Sequence, residues 1–165
     1  HIFWKKLREH GEDPERHAAA HPNVVYRKWD RRQYKGGEAE HTRLEEACAI
    51  HRCAALESAS WGTFQIMGFN YPACGYENVE NFVEDHADCA ATHLKAFCRL
   101  RRANRWHECL RSLDWAGFAR LYNGPAYAEN KYDQKLAAAY EKCREARKSS
   151  LGSQLEEQLG FLWKN

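Results

Sequence analysis

The chain has 165 residues, which is the size of one ordinary domain and leaves no room for a second of full size. Hydrophobic residues make up 44% of it and charged residues 29%, so a core can form and general disorder is excluded. The net charge of +2 is too small to indicate nucleic-acid binding, and no apolar run approaches the roughly 20 residues that span a bilayer. We therefore predict a protein that binds no nucleic acid and does not insert into membranes, and we expect a monomer.

The first residues have the pattern of the interior of a structural element. The chain opens with His1 and not with methionine, and no charged-then-apolar secretory pattern follows. Ile2, Phe3 and Leu7 already form an apolar helical stripe, and no capping residue precedes it. We expect that this sequence lacks its natural N-terminus.

Helical patterns dominate the rest of the chain. The apolar residues of one predicted helix, over residues 40–57, are Leu44, Ala47, Ala54 and Leu56. The other predicted helices cover residues 14–20, 78–100, 105–111, 115–122 and 130–147, with one more short helix within 149–165. Four of them have a predicted N-cap: Asp13, Asn78, Asp114 and Asn130. A short β-prone segment over residues 63–67 is the exception, so the sequence predicts a mainly α protein with little strand.

Seven cysteines are spread along the chain, an odd number without a Cys-x-x-Cys pair. In a chain with an adequate core we expect reduced thiols, most of them buried. His86, Cys89 and His93 have the i, i+3, i+7 spacing of one helix face, but zinc needs a fourth ligand from elsewhere. An ordinary half-exposed helix face is the preferred interpretation, and we predict no metal and no organic cofactor.

Two longer segments stand out from this helical background. Residues 57–71 have the sequence Glu-Ser-Ala-Ser-Trp-Gly-Thr-Phe-Gln-Ile-Met-Gly-Phe-Asn-Tyr, and residues 114–127 have the sequence Asp-Trp-Ala-Gly-Phe-Ala-Arg-Leu-Tyr-Asn-Gly-Pro-Ala-Tyr. Together they resemble the N-acetylmuramidase family of phage endolysins, within the lysozyme-like superfamily. The Gly-x-Phe-Gln-Ile part is similar to the Gly-Leu-Met-Gln strand of goose-type lysozymes and lytic transglycosylases, and Tyr-Asn-Gly is similar to their Tyr-Asn-Ala-Gly turn. The resemblance runs from His1 to about Tyr140.

The resemblance implies a lysozyme-like α+β fold, a helical bundle with a small β-hairpin near residues 60–68. It implies a muramidase catalytic domain over residues 1–148 that lacks its N-terminal part, followed by a C-terminal tail over residues 149–165. The activity it implies is hydrolysis of the β-1,4 bond between N-acetylmuramic acid and N-acetylglucosamine in bacterial peptidoglycan. A phage-encoded protein of this kind passes from the host cytoplasm to the periplasm and cell wall.

Glu57 is the candidate catalytic residue. Cleavage of a glycosidic bond needs a carboxylic acid in an apolar setting to protonate the leaving oxygen, and a second carboxylate or a positioned water. Glu57 ends a predicted helix directly before the β-prone segment, with Leu56 and Trp61 as apolar neighbours. A solvated glutamate on the outer helix face is the structural alternative. In the family the principal catalytic glutamate lies in a Glu-Ser motif upstream of the His-Ile-Phe stretch, so we expect the chain alone to have weak lytic activity or none.

Six further residues are candidates for contacts to the sugar: Trp61, Gln65, Asn70, Tyr122, Asn123 and Tyr127. The amide of Gln65 both donates and accepts, which suits the acetamido and hydroxyl groups of an amino sugar. Gly62 and Gly68 are expected to let the backbone turn sharply and approach a ligand closely. A structural role is the alternative throughout: Trp61 in the core, Tyr122 as a tie between helices, and the amides as partners of buried polar groups.

Two other functions stay open on the sequence. In a lytic transglycosylase, the hydroxyl of the muramic acid itself attacks and an anhydro sugar forms. A catalytically inactive domain would bind the glycan without turnover, and the missing upstream glutamate favours it. Product mass separates the first from hydrolysis, and binding without cleavage would identify the second.

Overall fold

The structure of the chain, a computed structural model, describes residues 1–162, and it describes side chains for residues 1–150. The chain divides into two compact units: the first comprises His1–Asn104, and the second begins at Arg105. Both units are mainly helical, which confirms the predicted fold class.

Helices account for most of both units. The first unit holds helices α1 (Ile2–Glu9), α2 (Glu15–Ala18), α3 (Ala39–Ser58), α4 (Val79–Asp88) and α5 (Ala90–Ala103), and strands β1 (Ser60–Trp61) and β2 (Ile66–Met67). The second unit holds α6 (His107–Arg111), α7 (Trp115–Asn123) and α8 (Tyr132–Leu162). Short 3₁₀ turns cover Arg31–Gln33, Gly68–Asn70 and Pro125–Ala128. None of the described helices is both long and apolar enough to cross a membrane.

The core of the first unit lies where α1 meets α3. Its buried residues are Phe3, Trp4, Leu7, Val24, Val25, Ala47, Ala54 and Ala55. Every buried member from α3 is an alanine, so the bulky side chains of α1 can pack closely on that helix. As a result, Lys6 and His10 of the α1 region lie beside the C-terminal end of α3.

α3 is not the uninterrupted helix that the sequence predicted over residues 40–57. His51 has non-helical backbone angles (φ −158°, ψ 103°) and divides α3 into two segments. The His51 Nδ1 accepts a hydrogen bond from the Ala54 amide at 3.2 Å, so this side chain caps the start of the second segment. No glycine or proline marks the break in the sequence, which is why the prediction missed it.

The predicted β region near residues 60–68 is confirmed as a two-stranded antiparallel hairpin. Its register pairs Trp61 with Ile66. Between the strands, Gly62 (φ 66°) and Gln65 (φ 49°) have left-handed backbone conformations. The single strand predicted over residues 63–67 was therefore too long, because the first part of that segment forms the turn.

The single helix predicted over residues 78–100 is two helices. Asn78 caps α4 as predicted, since its side chain accepts a hydrogen bond from the Asn81 amide at 2.8 Å. At Cys89 the backbone is extended (φ −151°, ψ 159°), so α4 ends there and α5 begins anew. The break places His86 on α4 and His93 on α5, and the helix face predicted for them does not exist.

In the second unit, the helices predicted over residues 105–111 and 115–122 are confirmed as α6 and α7. Asp114 caps α7 as predicted, because its Oδ1 accepts a hydrogen bond from the Gly117 amide at 2.9 Å. α7 buries Phe118 and packs against α6 and α8.

The long helix α8 differs from the prediction at both ends. Asn130 is not its N-cap, because the helix begins at Tyr132 after Lys131, whose φ is 54°. The short helix predicted within 149–165 is not separate, since α8 is continuous to Leu162. The last three positions of that prediction lie outside the described residues.

All seven cysteines are free, as predicted, but only Cys74 is buried, while Cys89 and Cys143 are exposed. The prediction that most of them are buried was therefore wrong. Burial raises the pKa of the Cys74 thiol to about 11, so this thiol stays neutral at physiological pH.

Gly68, the first residue after β2, packs directly against the last turn of α3. A Cβ atom at this position would lie 2.1 Å from the Leu56 carbonyl oxygen and 2.9 Å from the Glu57 Cα. The sequence suggested that Gly68 lets the backbone approach a ligand; what it allows is the approach of the hairpin to α3.

We expect Gly68→Ala to lower the free energy of unfolding by about 2–4 kcal/mol, because backbone atoms of α3 cannot move aside as a flexible side chain can. Gly11→Ala is the control, since that site is open and its φ of 81° leaves only a backbone strain of about 1–2 kcal/mol. Denaturant unfolding followed by circular dichroism measures both. Equal losses in the two variants would contradict the packing of Gly68 on α3.

Candidate active site

Glu57 lies in the last turn of α3 and is buried, with 8% of its surface exposed. Its carboxylate meets two basic side chains: Oε2 is 3.3 Å from Lys6 Nζ, and Oε1 is 3.3 Å from His10 Nε2. A buried carboxylate needs such partners, because an unpaired charge away from water is costly. The alternative of a solvated glutamate on the outer helix face therefore does not hold.

Lys6 is shared between two carboxylates. Its Nζ also lies 2.7 Å from Glu9 Oε2 and 5.1 Å from the centre of the Phe69 ring. Burial lowers the pKa of Lys6, but the hydrogen bonds and charges of Glu9 and Glu57 outweigh it, and the pKa lies above its ordinary value. Lys6 therefore stays cationic beside Glu57. The setting of Glu57 is charged as well as apolar, which its sequence neighbours did not indicate.

A second carboxylate lies near the same turn of α3. Cys53, one turn before Glu57, donates its thiol hydrogen to Glu80 Oε1 at 3.2 Å. This hydrogen bond is the main reason that the pKa of the Cys53 thiol is raised, and burial and the charges of Glu80 and Glu57 add to it. The sequence prediction missed Glu80, because nothing in the sequence connects the first turn of α4 with the end of α3.

The hairpin is fastened to the end of α3 through main-chain carbonyl groups. The last carbonyls of a helix have no partner within the helix and need donors from elsewhere. Leu56 O accepts a hydrogen bond from Trp61 Nε1 at 3.0 Å, and Ala59 O accepts one from the Gly68 amide at 2.8 Å. Because its N–H is used in this way, half-buried Trp61 offers its ring and not its nitrogen to a sugar.

A cavity of about 620 Å³ lies beside the hairpin within the first unit. Its lining includes Ser58, Trp61, Gln65 and Met67 from the end of α3 and the hairpin, and Tyr26, Tyr34, Glu40 and Arg43 from the preceding loop and the start of α3. Two predicted contact residues, Trp61 and Gln65, thus share one cavity of the size of a small-molecule site. Glu57 does not itself line the cavity, but the next residue, Ser58, does.

Gln65 is exposed and braces the turn of the hairpin. Its Oε1 accepts a hydrogen bond from the Ser60 hydroxyl at 2.8 Å, and its Nε2 donates one to Gly62 O at 3.0 Å. An amide has two donor hydrogens and two acceptor lone pairs, so one of each remains for an external group. The side chain therefore shapes the turn and still offers polar atoms to the cavity.

Asn70 lies in the 3₁₀ turn after β2 and is half-buried. Its carbonyl accepts a hydrogen bond from the Cys74 amide at 3.1 Å. Asn70 is absent from the lining of the cavity beside Trp61, so its contact with a sugar stays a prediction.

The three predicted contact residues of the second unit lie around the end of α7. Tyr122 stacks on Phe118 with ring centres 5.7 Å apart and meets Trp106 edge-on at 5.5 Å, which is the structural role considered for it. Asn123 is exposed as the last residue of α7. Tyr127 packs under the Arg120 guanidinium, 5.8 Å from its ring centre. Their contacts with a sugar stay predictions.

Two histidines pack against the turn of the hairpin. His86 is buried, its Nδ1 donates to Phe82 O at 2.7 Å, and its ring stacks on that of His93 with centres 5.0 Å apart. His93 Nδ1 lies 3.2 Å from the Thr63 amide nitrogen. The sequence offered these histidines as metal ligands or, by preference, as an ordinary half-exposed helix face. Among the residues with described side chains, no group of three or more His, Cys, Asp or Glu is placed to hold a metal ion, and His86 is buried.

A buried glutamate at a helix end, beside a sugar-sized cavity with an aromatic ring and an amide, is the arrangement that an enzyme cleaving a glycosidic bond needs. Comparison with known proteins gives the same class. The family model described as "Muramidase: N-acetylmuramidase" matches residues 1–144, and the chain therefore belongs to the N-acetylmuramidase family.

The chain is also similar to the Burkholderia AP3 phage endolysin, whose crystal structure it matches with a TM-score of 0.76 and 43% sequence identity. The match covers 86% of this chain and 53% of that one, so the chain spans about half the length of the endolysin. No curated protein matches the chain. The predicted resemblance to muramidase endolysins is thereby confirmed.

Acidification is expected to destabilise the first unit through His86. Burial is the largest effect and lowers the pKa of His86 below its ordinary value; the Phe82 carbonyl and Asp85 oppose this, and His93 adds to it. The unfolded chain therefore binds this proton at a higher pH than the folded chain, and stability is lost as the pH falls through about 6.5.

The His86→Phe variant isolates this effect. We expect the parent to lose more unfolding free energy than His86→Phe between about pH 7.5 and about pH 5.5, and both to behave alike between about pH 8.5 and about pH 7.5. Denaturant unfolding at each pH measures the difference. The same acid loss in both proteins would show that His86 does not carry it.

Proposed function

We propose that this chain is the muramidase domain of a phage endolysin, and that it hydrolyses the β-1,4 bond between N-acetylmuramic acid and N-acetylglucosamine in bacterial peptidoglycan. The observation that carries the proposal is the buried Glu57 at the end of α3, next to a cavity lined by Trp61 and Gln65. The family of the chain supports the substrate, and its similarity to a phage endolysin supports a phage-encoded protein that acts on the cell wall.

Glu57 supplies the proton that the leaving oxygen takes up, so the step starts from its protonated form, and attack by water afterwards returns a proton to the site. In the free protein both of its oxygens face basic side chains, so the bound glycan has to replace one of these contacts. His10 is the easier to displace, because its side chain is 31% exposed, whereas that of Lys6 is 16% exposed and also held by Glu9. Glu57 then keeps Lys6 on Oε2 and presents Oε1 to the substrate.

The cavity beside Glu57 receives the sugars. The ring of Trp61 offers an apolar face for a sugar ring, and Gln65 offers a donor and an acceptor for the acetamido group. Asn70 of the first unit, and Tyr122, Asn123 and Tyr127 of the second, are proposed as sugar contacts because the family motifs contain them.

We assign the catalytic domain to residues 1–148 and a tail to residues 149–165, with α8 continuous across that boundary. The proposed partner is the glycan strand of peptidoglycan, which a monomer can bind. Acid catalysis with an attacking water needs neither a metal nor an organic cofactor. The proposed route of the protein is from the host cytoplasm to the periplasm and cell wall.

Loss of turbidity in outer-membrane-stripped Gram-negative cells tests the role of Glu57. We expect the parent chain to clear the cells only weakly and Glu57→Gln to be slower still by at least about 100-fold, because general acid catalysis contributes about 10²–10⁴ in rate. Glu84→Gln is the matched control, since Glu84 is exposed on α4, and it should clear the cells at the parent rate.

Folding has to be separated from chemistry in this test, because Glu57→Gln leaves Lys6 without its buried partner. Glu57→Asp keeps the charge but shortens the side chain, so it should stay folded by thermal melting and still be at least about 10-fold slower. Clearing by Glu57→Gln at the parent rate would overturn the assignment of the acid. Failure of the parent to clear the cells would favour a principal acid in an upstream segment.

The products distinguish hydrolysis from transglycosylation. Attack by water leaves a reducing N-acetylmuramic acid end, whereas attack by the sugar's own hydroxyl gives an anhydro sugar that is lighter by one water. We expect mass spectrometry of purified peptidoglycan digested by the chain to show the reducing product. Anhydro products alone would establish the transglycosylase.

A further inference from the structure

We propose that His93 is a positioning residue for glycan binding: through its Nδ1 it holds the turn of the hairpin so that Trp61 and Gln65 face the cavity. This inference rests on the proposed function, since it assigns the glycan to the same cavity. His93 belongs to α5, does not itself line the cavity, and acts only through the turn.

Both ring nitrogens of His93 are used. Nδ1 lies 3.2 Å from the Thr63 amide nitrogen and 3.1 Å from Thr63 Oγ1, and Nε2 lies 2.8 Å from His86 O. A backbone N–H can only donate and a carbonyl can only accept. The neutral ring therefore accepts from Thr63 at Nδ1 and donates its proton from Nε2 to His86.

The support under His93 is rigid. The carbonyl that fixes its Nε2 belongs to the last turns of α4, and the His93 ring stacks on that of His86 at an angle of 15°. His86 is itself held by the Phe82 carbonyl, with the rings of His86 and Phe82 4.0 Å apart. The position of His93 Nδ1, which accepts the hydrogen bond from Thr63, is thus fixed by both α4 and α5.

The turn lies directly on this pair of rings. A Cβ atom at Gly62 would come within 2.8 Å of His86 Cδ2 and 3.0 Å of His93 Cδ2, and Gly62 has a φ of 66°. Only glycine combines this backbone conformation with so close an approach. The neighbouring Phe64 stacks on Phe97 of α5, with ring centres 4.7 Å apart, and forms a second, apolar tether.

The hairpin needs such an external anchor because it is too short to fix its own shape. Each strand has two residues, and isolated two-stranded hairpins are marginal in water. Within the turn, the backbone N–H of Gln65 donates to Gly62 O at 3.1 Å, and Gln65 has a left-handed φ of 49°. The polar anchor that reaches this turn from α5 is the Nδ1 of His93 on Thr63.

Three substitutions separate the two nitrogens of His93. His93→Asn keeps an acceptor near the position of Nδ1, whereas His93→Gln reaches towards His86 O and loses that acceptor. His93→Phe keeps the stacked ring and removes both nitrogens. All three retain the Phe64–Phe97 stack and the attachment of the hairpin to α3, so we expect them to fold.

The measurement uses a soluble, peptide-free oligosaccharide of alternating N-acetylglucosamine and N-acetylmuramic acid. Its Kd is obtained by calorimetry in a Glu57→Gln background, and its kcat and KM in the otherwise native chain. We expect Kd and KM to rise about three- to tenfold in His93→Phe and His93→Gln, as for loss of one hydrogen bond, and to stay within about twofold in His93→Asn. Throughout, we expect kcat to change less than KM.

Other outcomes would overturn the inference in distinguishable ways. A parent that binds the oligosaccharide, together with a His93→Phe variant of unchanged Kd and KM, would refute the positioning role and leave the proposed function intact. Lower melting temperatures with unchanged KM would show a purely structural histidine. A parent that neither cleaves nor binds the oligosaccharide would refute the proposed function and this inference with it.

Discussion

The site depends on how the C-terminal end of α3 satisfies its free carbonyl groups. A helix cannot pair its last carbonyls internally, and a buried end must find donors elsewhere. Here the indole of Trp61 and the amide of Gly68 supply them, from the two sides of one hairpin. Because Gly68 has no side chain, the hairpin can lie against the helix backbone. The hydrogen bonds that satisfy the end of α3 therefore also place the ring of Trp61 and the turn of the hairpin next to Ser58, the last residue of the helix.

The basic groups at this helix end come from α1 and from His10 directly after it. Phe3 and Leu7 of α1 pack against the alanines of α3, and this packing positions Lys6 beside the carboxylate of Glu57. The apolar contact and the ion pair are thus parts of one arrangement, since the first fixes the separation that the second needs. The buried carboxylate of Glu57 is shielded from water in this way, and its Oε1 lies beside His10, the more exposed of its two basic partners.

Much of the fold follows from local sequence signals, and the rest depends on residues that are distant in sequence. Asn78 and Asp114 were predictable caps because a short polar side chain before an apolar stripe has few other uses. The kink at His51 and the break at Cys89 have no glycine or proline to mark them, and the helix pattern continues through both. Asn130 was placed one residue too early as a cap, because Lys131, the residue before α8, adopts a left-handed conformation that its residue type does not indicate.

The same distinction between local signals and distant contacts applies to the candidate site. Glu57, Trp61 and Gln65 stand in one continuous motif, so the sequence alone was enough to select them as candidates. The partners of Glu57 and the contact of His93 with Thr63 join segments that only the folded chain brings together.

The most direct test of the central claim is a crystal structure of Glu57→Gln with an oligosaccharide of alternating N-acetylglucosamine and N-acetylmuramic acid. The glycosidic oxygen should lie within hydrogen-bonding distance of the residue 57 amide, with a sugar ring against Trp61 and its acetamido group at Gln65. An oligosaccharide bound away from this cavity, with the residue 57 side chain still enclosed by Lys6 and His10, would contradict the assignment of Glu57 as the acid.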